Sequence, residues 1–306
     1  MVSAKPFCTQ KEETPLVWGE ENKLQSWFSS LFFCYICNCI VAIFKYQLMR
    51  KWEKDGLEFR ITTYDIADEA QRVSMNLVKN LMLEMAKASM KFDNTRYGFH
   101  DLPYTYRERQ LDAVLLPALS KICQGLVMTE LPVIRKIKDE DLRQKESTGR
   151  ADYWCIYKDY SFVIELKHSY DRYGSHKTRQ DTVVDRWQEM NEQLRNASAD
   201  FRDFEEKTKG VIRLGLNVIT SITVKAGNDQ TVQQYKTKVK EIQYRLVNDM
   251  TGKKPTTRPD MVICWLVPKR MVENEDGNIP GLWMFAKWFE PIKHKGLKLR
   301  EKEKRD

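Results

Sequence analysis

The spacing of apolar residues along the chain predicts alternating helices and strands. Between Thr63 and Met90 apolar side chains recur every three or four residues, which predicts one long amphipathic helix. Similar spacing predicts helices over about 106–122, 177–196 and 234–247. Runs rich in β-branched and aromatic residues predict strands, at about 126–138, 149–157, 161–168, 211–224, 261–267 and 282–289.

The order of these elements indicates an α/β domain with a mixed central sheet. From Tyr106 onward the order is helix, three strands, helix, strand, helix and further strands. The segment 91–106 carries the Gly, Pro and Asn residues typical of a linker. We therefore expect a helical region over 49–100, an α/β domain over 101–292 and a basic tail over 293–306.

Residues 1–48 contain an apolar run with two open interpretations. The eighteen residues Trp27–Phe44 carry no formal charge and reach the lower length limit of a membrane-spanning helix. Lys45, Arg50 and Lys51 follow closely, so a spanning helix would leave the remainder of the chain in the cytoplasm. The alternative is a buried helix, or sequence upstream of a true start at Met49. We therefore expect the domain to be cytoplasmic, with or without a membrane anchor.

Composition narrows the class of protein. Of the 306 residues, 42% are hydrophobic and 31% are charged, which is typical of an ordered globular chain and excludes a disordered one. The net charge of +8 favours polyanionic partners, nucleic acid before anionic membrane. The seven cysteines form no secreted disulfide framework, and Cys34, Cys37 and Cys39 lack the downstream pair that a structural zinc site needs.

The predicted hairpin 149–168 carries charges where a buried hairpin should be apolar. Glu165 and Lys167 lie two residues apart on one strand and therefore point to the same face. Antiparallel pairing across the turn brings Asp152 near both of them. Two adjacent carboxylates raise each other's pKa unless a cation lies between them, and a hard divalent ion supplies that cation. Because Lys167 could then polarise a water that the metal has acidified, the hairpin predicts a metal site for phosphodiester hydrolysis.

This arrangement resembles the PD-(D/E)XK nuclease superfamily, which has the restriction-endonuclease-like fold. That family has an acid on the second strand of an αβββαβ core and a (D/E)-x-K motif on the third strand. Asp152 matches the acid and Glu165-Leu166-Lys167 match the motif, although Ala151 stands where the namesake Pro would be. The resemblance covers about 105–225. It implies that Asp152 and Glu165 bind Mg²⁺, with Mn²⁺ as a substitute, that the Leu166 carbonyl adds a ligand, and that Lys167 assists the attacking water.

The resemblance also implies two further site residues. Many members, including Holliday-junction-resolvase-like ones, carry a Glu on the first core helix. Glu108 is the candidate for this role, and it would add a metal ligand; Glu130 is the alternative third acid. Several branches place a Gln on the helix after the third strand. Gln188 is the candidate here, with Gln180 and Gln193 as competitors.

Other residues near the hairpin allow both a functional and a structural interpretation. His168 could contact phosphate, but a surface histidine is the simpler expectation. Trp283, Trp288 and Phe289 could stack on bases, or an alternating aromatic strand could belong to the core. Basic side chains around the hairpin could neutralise phosphates or only solvate a strand edge; they are Lys136, Lys138, Arg143, Lys145, Arg150, Arg172, Lys177, Arg179 and Arg186.

The expected function is therefore a Mg²⁺-dependent nuclease that hydrolyses phosphodiester bonds, with DNA as the expected substrate. One alternative is a catalytically inactive nucleic-acid-binding module on the same fold. The other is a membrane-tethered scaffold, which would leave the charges of the hairpin unexplained.

Overall fold

The computed structural model describes most of the chain after the apolar N-terminal run. The described residues are 49–64, 66–98, 102–138, 144–173, 180–197, 207–223, 229–252, 257–268, 273–274 and 277–292. The segment Trp27–Phe44 and the tail over 293–306 lie outside these ranges. None of the helices within them combines the length and the apolar character needed to cross a bilayer.

Nine strands in the described ranges form one mixed sheet. The strands follow the order β1-β2-β7-β9-β6-β5-β4-β3 across the sheet, and β8 pairs with β9. Their bounds are β1 Arg50–Lys54, β2 Leu57–Thr63, β3 Val127–Lys138, β4 Gln144–Tyr157, β5 Tyr160–Tyr173, β6 Val211–Thr223, β7 Met261–Leu266, β8 Glu273–Asn274 and β9 Gly277–Ile292.

Four α-helices and three short 3-10 helices accompany the sheet in the described ranges. The α-helices are α1 Glu69–Ser89, α2 Asp112–Ile122, α3 Gln180–Asn196 and α4 Asp229–Thr251. The 3-10 helices are Thr95–Tyr97, Pro103–Thr105 and Glu108–Leu111. The predicted α/β class with a mixed sheet is confirmed.

The helices cover both faces of the sheet, and each face has its own apolar core. Leu77 of α1 and Leu115 of α2 pack with Leu166 of β5 on one face. Trp187 of α3 and Tyr235 of α4 pack with other sheet residues on the opposite face. The strands β6 and β7 are buried on both faces, which explains why the sequence of β7 is continuously apolar.

The sequential order of the central elements determines which residues can meet. The strands β3, β4 and β5 follow α2 and pair antiparallel, β3 with β4 and β4 with β5. The chain then crosses over through α3 and returns as β6, parallel to β5. The turn between β4 and β5 consists of Lys158 and Asp159, both with positive φ, close to the turn predicted over 158–161.

The predicted helical region over 49–100 requires a correction, because it also supplies strands to the sheet. The hairpin of β1 and β2 was not predicted, and β2 pairs with β7 from Glu58 to Thr63. The described residues from Met49 onward fall in one compact unit, so the expected boundary near residue 100 is not seen. The sequence did contain a signal for this hairpin. Asp55 and Gly56, both with positive φ, form its two-residue turn, and Asp-Gly is typical of such turns.

The aromatic residues considered for base stacking belong to the packing of β9. Trp283 is fully buried, and its indole N–H donates to Ser221 Oγ at 3.0 Å and Tyr235 Oη at 2.8 Å. Trp288 is buried, and Phe289 is half-buried against the guanidinium of Arg213. The core interpretation of this strand is therefore correct for Trp283 and Trp288.

Gly281 of β9 should not tolerate a side chain, because Tyr235 packs directly on it. A Cβ at this position would lie 2.7 Å from Tyr235 Oη, and that hydroxyl is held by Ser221 and Trp283. We expect Gly281→Ala to lower the free energy of unfolding by about 1–3 kcal/mol, measured by urea denaturation. The same substitution in a Tyr235→Phe background should cost less. An equal cost in both backgrounds would contradict this steric explanation.

Candidate active site

The pairing of strand β4 is interrupted on both sides at Asp152. Its register with β5 runs from Tyr157 to Tyr153 and stops there. Its register with β3 passes from Tyr153 to Ala151 without Asp152, and the residue skipped on β3 is Glu130, whose φ is 56°. Because the ladder is open at this point, the Asp152 side chain can accept a hydrogen bond from the Leu166 amide at 2.6 Å.

Glu108 occupies the next position along the same edge of β5. Its Oε2 accepts a hydrogen bond from the His168 amide at 3.0 Å. Leu166 and His168 are two residues apart on one strand, so their N–H groups point to the same side, and the Leu166 carbonyl points there too. Asp152 and Glu108 therefore approach neighbouring amides of β5, and the Leu166 carbonyl lies on the edge between them.

Lys167 and Glu165 form a buried ion pair on the face of β5 that α3 covers. Their exposed fractions are 7% and 4%, and Lys167 Nζ lies 3.1 Å from Glu165 Oε1. The charge of Asp152 acts on Lys167, so these two side chains are also close. The three charged residues that the hairpin pattern grouped thus lie near one another, with no shared metal-binding group among them in the described residues.

The charges around Lys167 keep it protonated despite its burial. Burial lowers the pKa of Lys167, but the carboxylates of Glu165, Glu189 and Asp152 together outweigh it and leave that pKa raised. Burial raises the pKa of Asp152, opposed by the Leu166 N–H and by the charge of Lys167. A buried ion pair contributes little net stability because both groups lose their hydration, so stability alone gives little reason for this pair.

Helix α3 brings Glu189, not Gln188, to the ammonium group. The buried residues Val183, Trp187 and Met190 orient the helix on the sheet, and Gln188 points to solvent. Glu189 Oε1 lies 3.6 Å from Lys167 Nζ. The expected placement of Gln188 at the site is therefore not observed, because one residue along a helix changes the direction by about 100°.

Of the two glutamines whose side chains are described, Gln193 connects to Lys167 through Glu189. Its Nε2 donates to Glu189 Oε1 at 3.3 Å, and Glu189 in turn approaches the ammonium. The side chain of Gln180 lies outside the described residues. Glu189 itself was missed by sequence analysis, although its i, i+4 spacing from Gln193 puts both on one side of the helix.

Glu130, the alternative third acid, lies close enough to Asp152 for its charge to act on that carboxylate. It forms an ion pair with Arg150 at 3.2 Å, and both side chains are well exposed. Glu108, by contrast, accepts a hydrogen bond from the β5 backbone next to the motif.

His168 is buried, which corrects the expectation of a surface or phosphate-binding histidine. Its Nε2 lies 3.1 Å from Thr220 Oγ1, and that hydroxyl donates to the Tyr104 carbonyl at 2.7 Å. Since the hydroxyl has one hydrogen, Nε2 must carry the proton in this contact. Burial lowers the pKa of His168 to about 4, so the imidazole is neutral near pH 7.

Buried amide atoms on β6 and α3 have unused hydrogen-bonding capacity. Asn217 is the register partner of Lys167 on β6, and its Oδ1 accepts from Ser169 Oγ at 3.1 Å. Its Nδ2, and Oδ1 of Asn191 on α3, are buried without a hydrogen-bond partner among the described residues. Buried polar atoms of this kind are usually satisfied by ordered water or by a ligand.

The carboxylates are the type of ligand that binds a divalent cation, but they do not form a preassembled metal site. No three His, Cys, Asp or Glu side chains in the described part of the chain form a metal-binding group. Instead, one oxygen each of Asp152, Glu108 and Glu165 is held by the Leu166 amide, the His168 amide and Lys167 Nζ. Hard carboxylate oxygens are nonetheless the donors that Mg²⁺ prefers, and the Leu166 carbonyl adds another of the same kind.

The structure describes only some of the basic side chains around the hairpin. Arg150 pairs with Glu130, and Arg186 pairs with Glu189 at 3.4 Å, whereas Arg172 is exposed. Side chains outside the description are those of Lys136, Lys138, Arg143, Lys145, Lys177 and Arg179.

Comparisons with known proteins leave the family of this chain open. No family model matches the chain, and no curated protein matches it. A solved structure described as "Crystal structure of SSO0001" is 13% identical and covers 55% of this chain and 85% of its own, with a TM-score of 0.19. At that TM-score the likeness carries no argument about fold or function.

The buried neutral His168 should make stability depend on pH. Its folded pKa of about 4 lies below the ordinary value of 6.5, so the unfolded chain binds more protons between these values. Stability from this residue is therefore present above pH 6.5 and is lost as pH falls. Between pH 7.5 and pH 5 the loss should be about 2 kcal/mol.

Urea denaturation at both pH values tests this expectation. His168→Gln should remove that part of the pH dependence, because an amide does not titrate in this range. His294→Gln, in the predicted basic tail, is the control and should change nothing. An unchanged pH dependence in His168→Gln would show that the imidazole is not buried in its neutral form.

Proposed function

We propose that this protein is a metal-dependent nuclease that hydrolyses phosphodiester bonds, with DNA as the expected substrate. One observation carries the proposal. The buried ammonium of Lys167 is paired with Glu165. Asp152 and Glu108 accept hydrogen bonds from the amides of the residues directly before and after Lys167. Buried charges are costly, and their concentration at one interrupted strand edge is typical of catalytic sites.

The order of elements around the site supports a restriction-endonuclease-like core. Helix α2, strands β3, β4 and β5, helix α3 and strand β6 follow the αβββαβ order of the PD-(D/E)XK nucleases, which this chain resembles in its motif. Asp152 lies on the second of these strands and Glu165 and Lys167 on the third. The proposal combines this agreement of order with the contacts at the site.

The carboxylates would hold the metal ion. Asp152 and Glu165 are the principal ligands in this proposal, with the Leu166 carbonyl and Glu108 as further ligands. The bound ion lowers the pKa of a water and offsets negative charge on the phosphate. Glu108 and Asp152 already accept from β5 amides, so both carboxylates are fixed in direction before any ion binds.

Lys167 supplies a fixed positive charge and hydrogen-bond donors. Its raised pKa keeps the side chain protonated at neutral pH, so it acts as a donor to the attacking water or to a phosphate oxygen and not as a base. Glu165 and Glu189 hold the ammonium from two sides, and Gln193 orients Glu189. Glu189 and Gln193 are therefore positioning residues in this proposal.

Removing the ammonium should stop cleavage while leaving nucleic-acid binding nearly intact. The interaction with the attacking water is worth most in the transition state, so Lys167→Ala should lower the cleavage rate roughly 10²- to 10⁴-fold. The assay incubates plasmid, single-stranded DNA and RNA with Mg²⁺ or Mn²⁺, and with EDTA as the metal-free control. Lys209→Ala is the matched variant, because Lys209 forms an exposed ion pair with Glu69 beside the far end of β5.

Three outcomes of this assay would count against the mechanism. Cutting by the wild type in EDTA would exclude a metal-dependent reaction, and full activity in Lys167→Ala would exclude the role of the ammonium. Tight binding of nucleic acid with no cutting of any substrate would instead favour an inactive binding module on the same fold.

Asp152→Asn should abolish metal binding without unfolding the protein. The amide oxygen can still accept from the Leu166 N–H, but the negative charge that attracts the ion is lost. Isothermal titration calorimetry with Mn²⁺ measures the effect, and Asp159→Asn in the exposed turn is the control. Because the pKa of Asp152 is raised, wild-type Mn²⁺ affinity should fall as the pH is lowered towards it. Unchanged Mn²⁺ affinity in Asp152→Asn would remove this residue from the metal site.

A further inference from the structure

An aromatic and basic surface lies beside the candidate active site. We call it the tyrosine–arginine patch, and it consists of Tyr106, Arg107, Tyr170 and Arg172. Tyr106 is 47% exposed, Arg107 and Arg172 are exposed, and Tyr170 of β5 is half-buried. An exposed ring beside guanidinium groups combines base stacking with phosphate contacts, which suits a surface that binds nucleic acid.

The backbone of Tyr106 is held firmly on the sheet. The hydroxyl of Tyr170 on β5 donates to the Tyr106 carbonyl and lies 3.3 Å from the Thr105 carbonyl. The hydroxyl of Thr220 on β6 donates to the Tyr104 carbonyl at 2.7 Å. An aromatic ring on a backbone anchored in this way loses little conformational entropy when it binds a partner.

The patch borders the acids of the site. Tyr106 precedes Glu108 by two residues, which separates their Cα atoms by about 7 Å at most. Tyr170 follows His168 by two residues, and the His168 amide is the donor to Glu108. Tyr170 and Arg172 alternate with Lys167 and lie on the other face of β5, so a strand on the patch reaches the site at the β5 edge, where Glu108 accepts from the His168 amide.

The charge of the patch is positive and not neutralised within the described residues. The charge of Arg107 acts on Tyr170, opposing the rise in the Tyr170 pKa that burial causes, so the two side chains are neighbours. Neither Arg107 nor Arg172 forms an ion pair with an acid in the described ranges, in contrast to Arg150 and Arg186. Two guanidinium groups beside an exposed ring complement a polyanion that carries aromatic bases.

We propose that the tyrosine–arginine patch binds a single-stranded segment of a polynucleotide next to the bond to be cleaved. The ring of Tyr106 stacks on an unpaired base, and Arg107 and Arg172 contact the flanking phosphates. A duplex presents its bases stacked on one another, so an exposed ring can stack on a base only where a strand is unpaired. This inference rests on the proposed nuclease function and specifies a substrate with an unpaired strand.

Binding measured without cleavage tests the inference separately from catalysis. Fluorescently labelled single-stranded DNA, single-stranded RNA and duplex DNA of equal length are titrated with full-length protein in EDTA. Tyr106→Ala should weaken single-strand binding roughly tenfold and duplex binding by less than twofold. Tyr106→Phe should retain wild-type affinity, because the ring remains. Tyr244→Ala, an exposed tyrosine on α4, is the matched control and should have no effect.

The arginines are tested through the salt dependence of binding. Each lost phosphate contact should reduce the slope of log affinity against log salt by about 0.7 for a single strand, in Arg107→Ala and in Arg172→Ala. Unchanged single-strand affinity in Tyr106→Ala, or an equal loss for duplex, overturns the inference, as does a wild type that binds no single strand. Cleavage with Mg²⁺ by a protein showing any of these results would leave the nuclease proposal standing. The DNA and RNA arms show which polynucleotide is preferred.

Discussion

The candidate site depends on a single break in the hydrogen-bond ladder between β4 and β5. If β4 and β5 paired regularly past Tyr153, the backbone N–H groups of β5 would donate to β4 carbonyls. Because pairing stops at Tyr153, the Leu166 amide is left for the Asp152 carboxylate. The next amide on that side, from His168, is left for Glu108. An unpaired buried amide costs free energy, so the break requires acceptors, and both acceptors are acids.

The same strand, β5, also carries the buried ion pair of Glu165 and Lys167. Alternation along β5 sends Glu165 and Lys167 under α3 while Leu166 fills the opposite core with α1 and α2. Apolar neighbours pack on both faces of β5, so the side chains of Glu165 and Lys167 stay buried. Glu189 on α3 then adds a second carboxylate to the ammonium. The metal, the water and the substrate in the proposed mechanism would all meet residues whose directions are already determined by packing.

The segment before α2 connects this site to the surface beside it. Side chains from β5 and β6 hold the carbonyls of Tyr104 and Tyr106, and this anchoring determines the position of Glu108 as well as the exposure of the Tyr106 ring. His168 takes part through Thr220, which explains why a residue directly after the motif is buried and neutral. The proposed catalytic edge and the proposed single-strand surface are thus supported by the same few hydrogen bonds.

Local sequence pattern determined the α/β class, most element positions and the placement of Glu165 and Lys167 on one face of a strand. These follow from strand alternation and from one tight turn, which act over a few residues. The hairpin of β1 and β2 had a local signal in Asp55-Gly56, but its pairing with β7 joins residues about two hundred positions apart, and no local pattern records such a contact. Tertiary structure likewise decided that Glu189, not Gln188, meets Lys167, since the rotation of α3 depends on how Trp187 and Met190 pack on the sheet. It also decided the burial of His168, because Thr220 and Tyr104 approach it from distant parts of the chain.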